Sequence, residues 1–444
     1  MMYKYFPHTS DDLQSMLKAV GADSLDALYS DIPADVRFRG DYDLPSEMSE
    51  LEVRQLFEQL GRQNRQLVCF AGDGVYDHYT PAVIPDLLAR SEFLTSYTPY
   101  QAEVSQGTLH YIFEYQSMMT ALTGMDISNA SMYDGTTAAA EAMMMAVNAG
   151  KKQSKVLVSA TVDPKVVAAM QTYADGLGIT IEMIDEHDGA TSLTDFGRRL
   201  TAGGVAGVMV AQPNRYGIVE DYTGFADVAH SLKALFMMHC VAADLAVLKT
   251  PGEWGADIAC GDGQSLGIPM QFGGPYVGFL CCTEKLLRKM PGRIVGMTSD
   301  NRGQRAFVLT LQAREQHIRR QKATSNICSN QSLMALFVTV YLSLMGRQGL
   351  KEAAMLGYDG AHYLCDQLLQ TGHFSLAFDR PFFNEFCLVC DKDIDALQQY
   401  CAEAGYMAGV KTGDNMLMLA VTERRSKEET DRLVSLINEY MNTL

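Results

Sequence analysis

Between residues 130 and 290 short apolar stretches alternate with helix-forming ones, and this alternation restricts the fold more than any other property of the chain. Lys155–Ser159, Ile179–Met183, Val205–Ala211, Phe236–Ala242, Asp257–Cys260 and Tyr276–Cys282 read as short strands. Between them lie helical segments. Thr136–Ala149 is rich in alanine and methionine, follows a hydroxyl cap and stops before Gly150. Another helix opens at Pro164, where a residue without an N–H suits the first helical position. Short apolar strands separated by helices imply a mostly parallel sheet with both faces covered.

The rest of the chain reads differently. Asn384–Cys390 and Met416–Val421 are strand-like, with a helix from Ile394 to about Ala404 between them. A final helix starts at a Ser426 cap with Glu428 and Glu429 in its first turn. These form a small α/β layer, joined to the main sheet by a helical stretch from Asn330 to Gln370. The first hundred residues, with prolines at 33, 45, 81, 85 and 99, read as an arm wrapping the large domain or a partner. A chain of 444 residues exceeds one ordinary core. The expected division is an arm over 1–100, a large α/β domain over 101–330, and a connecting helix with a small α/β domain over 331–444.

With 36 basic and 53 acidic residues the net charge is −17, which argues against broad nucleic-acid binding. No apolar run reaches membrane-spanning length, and Met1–Asp12 lacks the apolar stretch of a signal peptide. The ten cysteines do not make a disulfide framework in a chain this large, and reduced thiols fit a cytoplasmic location. Cys387 and Cys390 sit three apart on a strand, hence on opposite faces, and cannot share a metal. Adjacent Cys281 and Cys282 fail for the same reason.

Four segments carry candidate chemistry. Tyr133-Asp-Gly-Thr-Thr137 runs straight into a helix, so Asp134, Gly135 and Thr136 make either an anion site at its N-terminus or an ordinary cap. Asp244, at the end of the Phe236 strand, can pair with the pyridine nitrogen of pyridoxal phosphate (PLP) or cap the next segment. The glycine-rich turn over 261–274 is where many PLP enzymes carry their Schiff-base lysine. No lysine occurs between Lys249 and Lys285, and Gln264 and Ser265 stand at that turn. Arg314–Asn326 gathers four basic residues, read either as a docking patch for an acidic group or phosphate, or as a solvated helix face. Ser96–Gly107 places Tyr97 and Tyr100 on a loop, where aromatics serve either contact surfaces and site rims or simple packing over the core.

Together with Ala71–Pro81, Asn129–Glu141, Gln212-Pro-Asn214, Arg314–Cys328 and Thr422-Glu423, these segments resemble the glycine cleavage system P-protein family, glycine dehydrogenase (decarboxylating), over nearly the whole chain. The likeness is to its first subunit, or N-terminal half. It implies fold type I, the architecture of aspartate aminotransferase, with a mostly parallel large domain and a small C-terminal α/β domain. It also implies a homologous second subunit that carries the PLP lysine, two copies of each subunit, and a lipoylated H-protein that accepts the aminomethyl group of glycine. On this resemblance the chain alone is inactive and anchors no cofactor covalently. Tyr97 and Tyr100 border the substrate channel, and Thr324, Ser325 and Asn326 reach toward the partner's cofactor. Asp134, Gly135, Thr136 and Asp244 become relics of a degenerate site. Two other readings compete: an autonomous PLP enzyme using Lys249, and a non-enzymatic interaction protein.

Overall fold

The computed structural model describes residues 7–150 and 153–443. It divides into two compact units, Met1–Arg65 and Gln66–Leu444. In the first, the helices Ser10–Val20 and Glu50–Gly61 each open on a capping box, Thr9 with Asp12 and Ser49 with Glu52. Each box satisfies backbone donors that a helix start leaves free.

The arm is shorter than the expected 1–100. Val68–Cys69 pairs in parallel with Tyr406–Met407, which ties the chain after residue 65 into the second unit. That unit also joins the expected large and small domains in one body.

Its main sheet has seven strands: β1 (Ile127–Ser128), β2 (Lys155–Ser159), β3 (Thr180–Ile184), β4 (Val205–Gln212), β5 (Leu235–Val241), β6 (Ile258–Asp262) and β7 (Gly278–Cys282). Their order is β1-β7-β6-β5-β4-β2-β3. The pairings from β6 to β3 are parallel, and β7 runs antiparallel to both β6 and β1. Successive residues feed opposite layers. Val208, Val210, Phe236 and Met238 enter one core, and Met209, Met237 and Ile258 the other. Cys281 and Cys282 split between the same two cores.

The small layer is a four-stranded antiparallel sheet: β8 (Phe374–Leu376), β9 (Glu385–Cys390), β10 (Val410–Gly413) and β11 (Met416–Ala420), in the order β8-β9-β11-β10. Cys387 faces Tyr216 and Met418, while Cys390 enters the core under the final helix, so the two thiols do point apart. That helix, Lys427–Asn442, begins on a complete Ser426–Glu429 capping box.

Ser332–Gln370 overturns one expectation, because it is long and apolar enough by length and composition to cross a membrane. It is a core helix, broken at Gly346, whose φ of 59° is not helical. Phe337, Val338 and Tyr341 enter the sheet core, and Ala361, Leu364 and Leu368 the core of the small layer.

Candidate functional site

The turn after β6 contains the two residues standing where a lysine was sought. Gln264 is 1% exposed. Its Oε1 accepts the Tyr76 N–H at 2.9 Å, and its Nε2 donates to the carbonyls of Tyr76 and Ile268, each at 2.7 Å. Ser265 Oγ accepts the Ala243 N–H at 3.0 Å. Both side chains are engaged within the protein.

The helix start at Gly135 is equally engaged. Asp134 accepts the Thr137 N–H at 2.8 Å and the Thr136 hydroxyl at 2.7 Å. The Gly135 N–H donates to Asp262 Oδ2 at 2.9 Å. Burial pushes the Asp262 carboxyl up to about 7, and nearby Asp134 adds to the rise. Asp244 lies past the end of β5, in the short turn Ala243–Ala246 rather than on the strand. It is buried and its Oδ2 has no hydrogen-bond partner among the described residues. Burial, with Glu385 adding, pushes its carboxyl well above the usual carboxylate range.

These residues do not fit PLP. The amine is missing, two carboxylic groups occupy the helix start where a phosphate would bind, and Tyr76 is buried between Gln264 and Glu385. Sequence reasoning missed Tyr76 and Glu385, and an acid opening an otherwise apolar strand was the available signal. Lys249 is no substitute, since its ammonium sits 3.6 Å from the centre of the Trp254 ring.

A second cluster gathers around Arg293, which the sequence reading also missed. It is a buried arginine between Gly292 and the apolar Ile294-Val295. Its guanidinium donates to Asn330 Oδ1 at 3.3 Å, to the Tyr100 hydroxyl at 3.4 Å and to the Cys328 carbonyl. Glu315 lies 4.0 Å away. Met290–Arg293, Arg314, Glu315, Thr324, Ser325 and Asn330 line a narrow, nearly filled cleft.

Arg314 is no solvated helix residue, because it is buried and donates to the carbonyls of Met290 and Gly292. The helix there is only Gln316–Arg319. Ser325 donates to Glu141, whose carboxyl burial pushes up to about 7. Tyr100, Thr324 and Ser325 are thus brought to one place. Asn326 lies on an adjoining groove with Tyr173 and Arg320. Tyr97, 75% exposed, makes none of these contacts among the described residues.

A family model described as glycine cleavage system P-protein matches residues 3–437. The chain belongs to the glycine cleavage system P-protein family. It is 48% identical over 437 residues to probable glycine dehydrogenase (decarboxylating) subunit 1 of Moorella thermoacetica, covering 97% of this chain and 98% of that protein. It is 45% identical over 448 residues to the protein of the same name from Geobacillus thermodenitrificans, covering 99% of each.

A crystal structure of glycine decarboxylase (P-protein) of the glycine cleavage system, in inhibitor-bound form, superposes with a TM-score of 0.88 at 42% identity. It covers 99% of this chain and all of that one. Sphingosine-1-phosphate lyase of Burkholderia pseudomallei superposes at 0.67 with 13% identity over 92% of this chain and 94% of that one, a likeness of fold alone. The architecture is fold type I, the fold of PLP-dependent enzymes, and the chain is a P-protein subunit within an enzyme complex. Neither competing reading is favoured.

Proposed function

We propose that this chain forms one wall of a glycine-decarboxylating site whose PLP lysine is carried by a homologous second subunit, in an assembly of two copies of each. The cofactor supplies an electron sink when glycine loses carbon dioxide. The remaining aminomethyl group passes to the lipoyl arm of an H-protein.

The Arg293 cleft carries this reading. A buried guanidinium there holds the Tyr100 hydroxyl and the Cys328 carbonyl, and Thr324 lines the same cleft. Held in place, Tyr100 narrows the substrate channel together with Tyr97, while Thr324 and Asn326 offer a hydroxyl and an amide donor to an anionic group from the partner, with Ser325 between them tied to Glu141. The described cysteines are all unpaired, which fits assembly in the cytoplasm.

Co-expression with the lysine-bearing subunit tests the proposal. The purified complex is expected to show the visible absorbance of bound PLP and to exchange the glycine carboxyl with bicarbonate, while this chain alone does neither. Tyr100→Phe and Thr324→Ala are expected to slow exchange without altering subunit ratio. Turnover by the isolated chain, or full exchange in Tyr97→Phe, Tyr100→Phe and Thr324→Ala alike, would refute it.

A further inference from the structure

The segment Ala71–Thr80 is held from two sides. From the main sheet, Gln264 takes both backbone polar groups of Tyr76, and the Gly267 carbonyl accepts the Thr80 hydroxyl at 2.6 Å. From the small layer, Glu385 on β9 accepts the Asp73 N–H at 2.6 Å and the Tyr76 hydroxyl at 3.1 Å. Glu423 lies 2.8 Å from His78 Nδ1 and accepts the Tyr79 N–H at 2.7 Å. Thr422 donates to the Asp77 carbonyl, and Arg424 and Arg425 pair with the Asp77 carboxylate. Gly72 has no room for a side chain, since a Cβ there would lie 2.0 Å from Glu385 Oε1.

A surface loop ordinarily leaves its backbone to water, whereas this one buries Tyr76 and His78. The contacts that converge on it include Gln264 itself, and burial, with Glu385 and then Asp244 adding, raises the Tyr76 phenol.

We propose that residues 71–80 are an internal occupant of the position that a cofactor takes in this fold, and that they lock the small layer to the main sheet. The inference rests on the reading that this chain holds no PLP, but it is judged on the isolated chain. That reading, by contrast, is judged on the spectrum and turnover of the assembled complex.

Hydrogen exchange on the full-length chain, read by mass spectrometry, is the first arm. The 71–80 peptide is expected to exchange as slowly as the buried strand 205–212. Gln264→Ala, which leaves the Tyr76 N–H unpaired and its carbonyl with only the His78 N–H, is expected to speed 71–80 by about tenfold or more and leave 205–212 unchanged. The second arm titrates pyridoxamine phosphate, which cannot form an adventitious Schiff base with surface lysines. Wild type is expected to show no saturable binding, and the double variant Tyr76→Gly, Asp262→Asn to gain affinity by about tenfold or more. Fast exchange of 71–80 in wild type overturns the inference, as does equal binding by wild type and a folded double variant. If the double variant fails to fold, the exchange arm decides alone.

Discussion

Glu385→Gln offers a quantitative probe of the buried acid that anchors Tyr76. Burial pushes the Glu385 carboxyl from an ordinary 4.5 up to about 7, against the opposing pull of the Asp73 N–H and the Tyr76 hydroxyl. Between those two values the folded chain holds a proton that the unfolded chain has released. Stability from this group is therefore greatest below pH 4.5, falls as pH rises, and levels off above about 7. The interval is about 2.5 pH units, or roughly 3.4 kcal/mol at 1.36 kcal/mol per unit.

Glutamine is nearly isosteric and cannot titrate. Its oxygen still accepts the Asp73 N–H, and its amide donates to the Tyr76 oxygen. Urea unfolding followed by the fluorescence of the single tryptophan, Trp254, reads the difference. From about pH 5 to pH 8, Glu385→Gln is expected to gain roughly 2.7 kcal/mol on wild type. Asp262 and Glu141, both also near 7, titrate in both proteins and cancel. Parallel curves across that range would refute the assignment of a protonated, dry Glu385.

Arg293→Ala strips the Tyr100 hydroxyl and two further acceptors of their donor, leaves a gap where a buried guanidinium stood, and removes one of the cations beside Glu315, which keeps His317 at 3.6 Å. A loss of about 3–5 kcal/mol is expected in urea unfolding, with Arg293→Lys recovering only part of it. Lys249→Met removes a cation–π contact alone and is expected to cost no more than about 2 kcal/mol, with bicarbonate exchange by the complex unchanged. Gly217 has φ 78°, and a Cβ there would lie 1.9 Å from the Glu385 carbonyl. Gly217→Ala is therefore expected to destabilise by more than about 2 kcal/mol in the urea midpoint, since backbone blocks relaxation.

The sheet was legible because its strands are short, apolar and uninterrupted, and the expected Lys155–Ser159 matches β2 residue for residue. Period-two geometry alone placed Cys281 and Cys282, and likewise Cys387 and Cys390, in different cores. The missing lysine was legible for a similar reason, since an absence can be read off one turn. What fills the site was not. Tyr76 meets Gln264 across 188 positions and Asp73 meets Glu385 across 312, and no local pattern encodes such pairings. Arg293 and Tyr100 meet across 193. The basic run 314–326 divides, with Arg319, Arg320 and Lys322 exposed and Arg314 buried. Charge in a sequence suggests a wet face, yet Arg314 spends its donors on buried carbonyls.

A pocket of this fold with neither lysine nor cofactor carries a stability cost unless something fills it. An emptied cofactor pocket loses packing at roughly 2.4 kcal/mol per 100 Å³ left unfilled. It also strands Asp244, whose ionised form in a dry site would cost several kcal/mol without a cation. Each cost has a local answer here. Tyr76 fills space beside Gln264, burial shifts Asp244 toward its neutral form, and Asp262 takes the Gly135 N–H that an anion would otherwise claim. These answers exclude one another's reversal. Restoring a lysine at position 264 alone would break the hold on Tyr76 and leave carboxylic groups facing any incoming phosphate. A single Gln264→Lys change should therefore yield a less stable chain that still takes up no PLP, and visible aldimine absorbance from that single variant would show that the pocket is open after all.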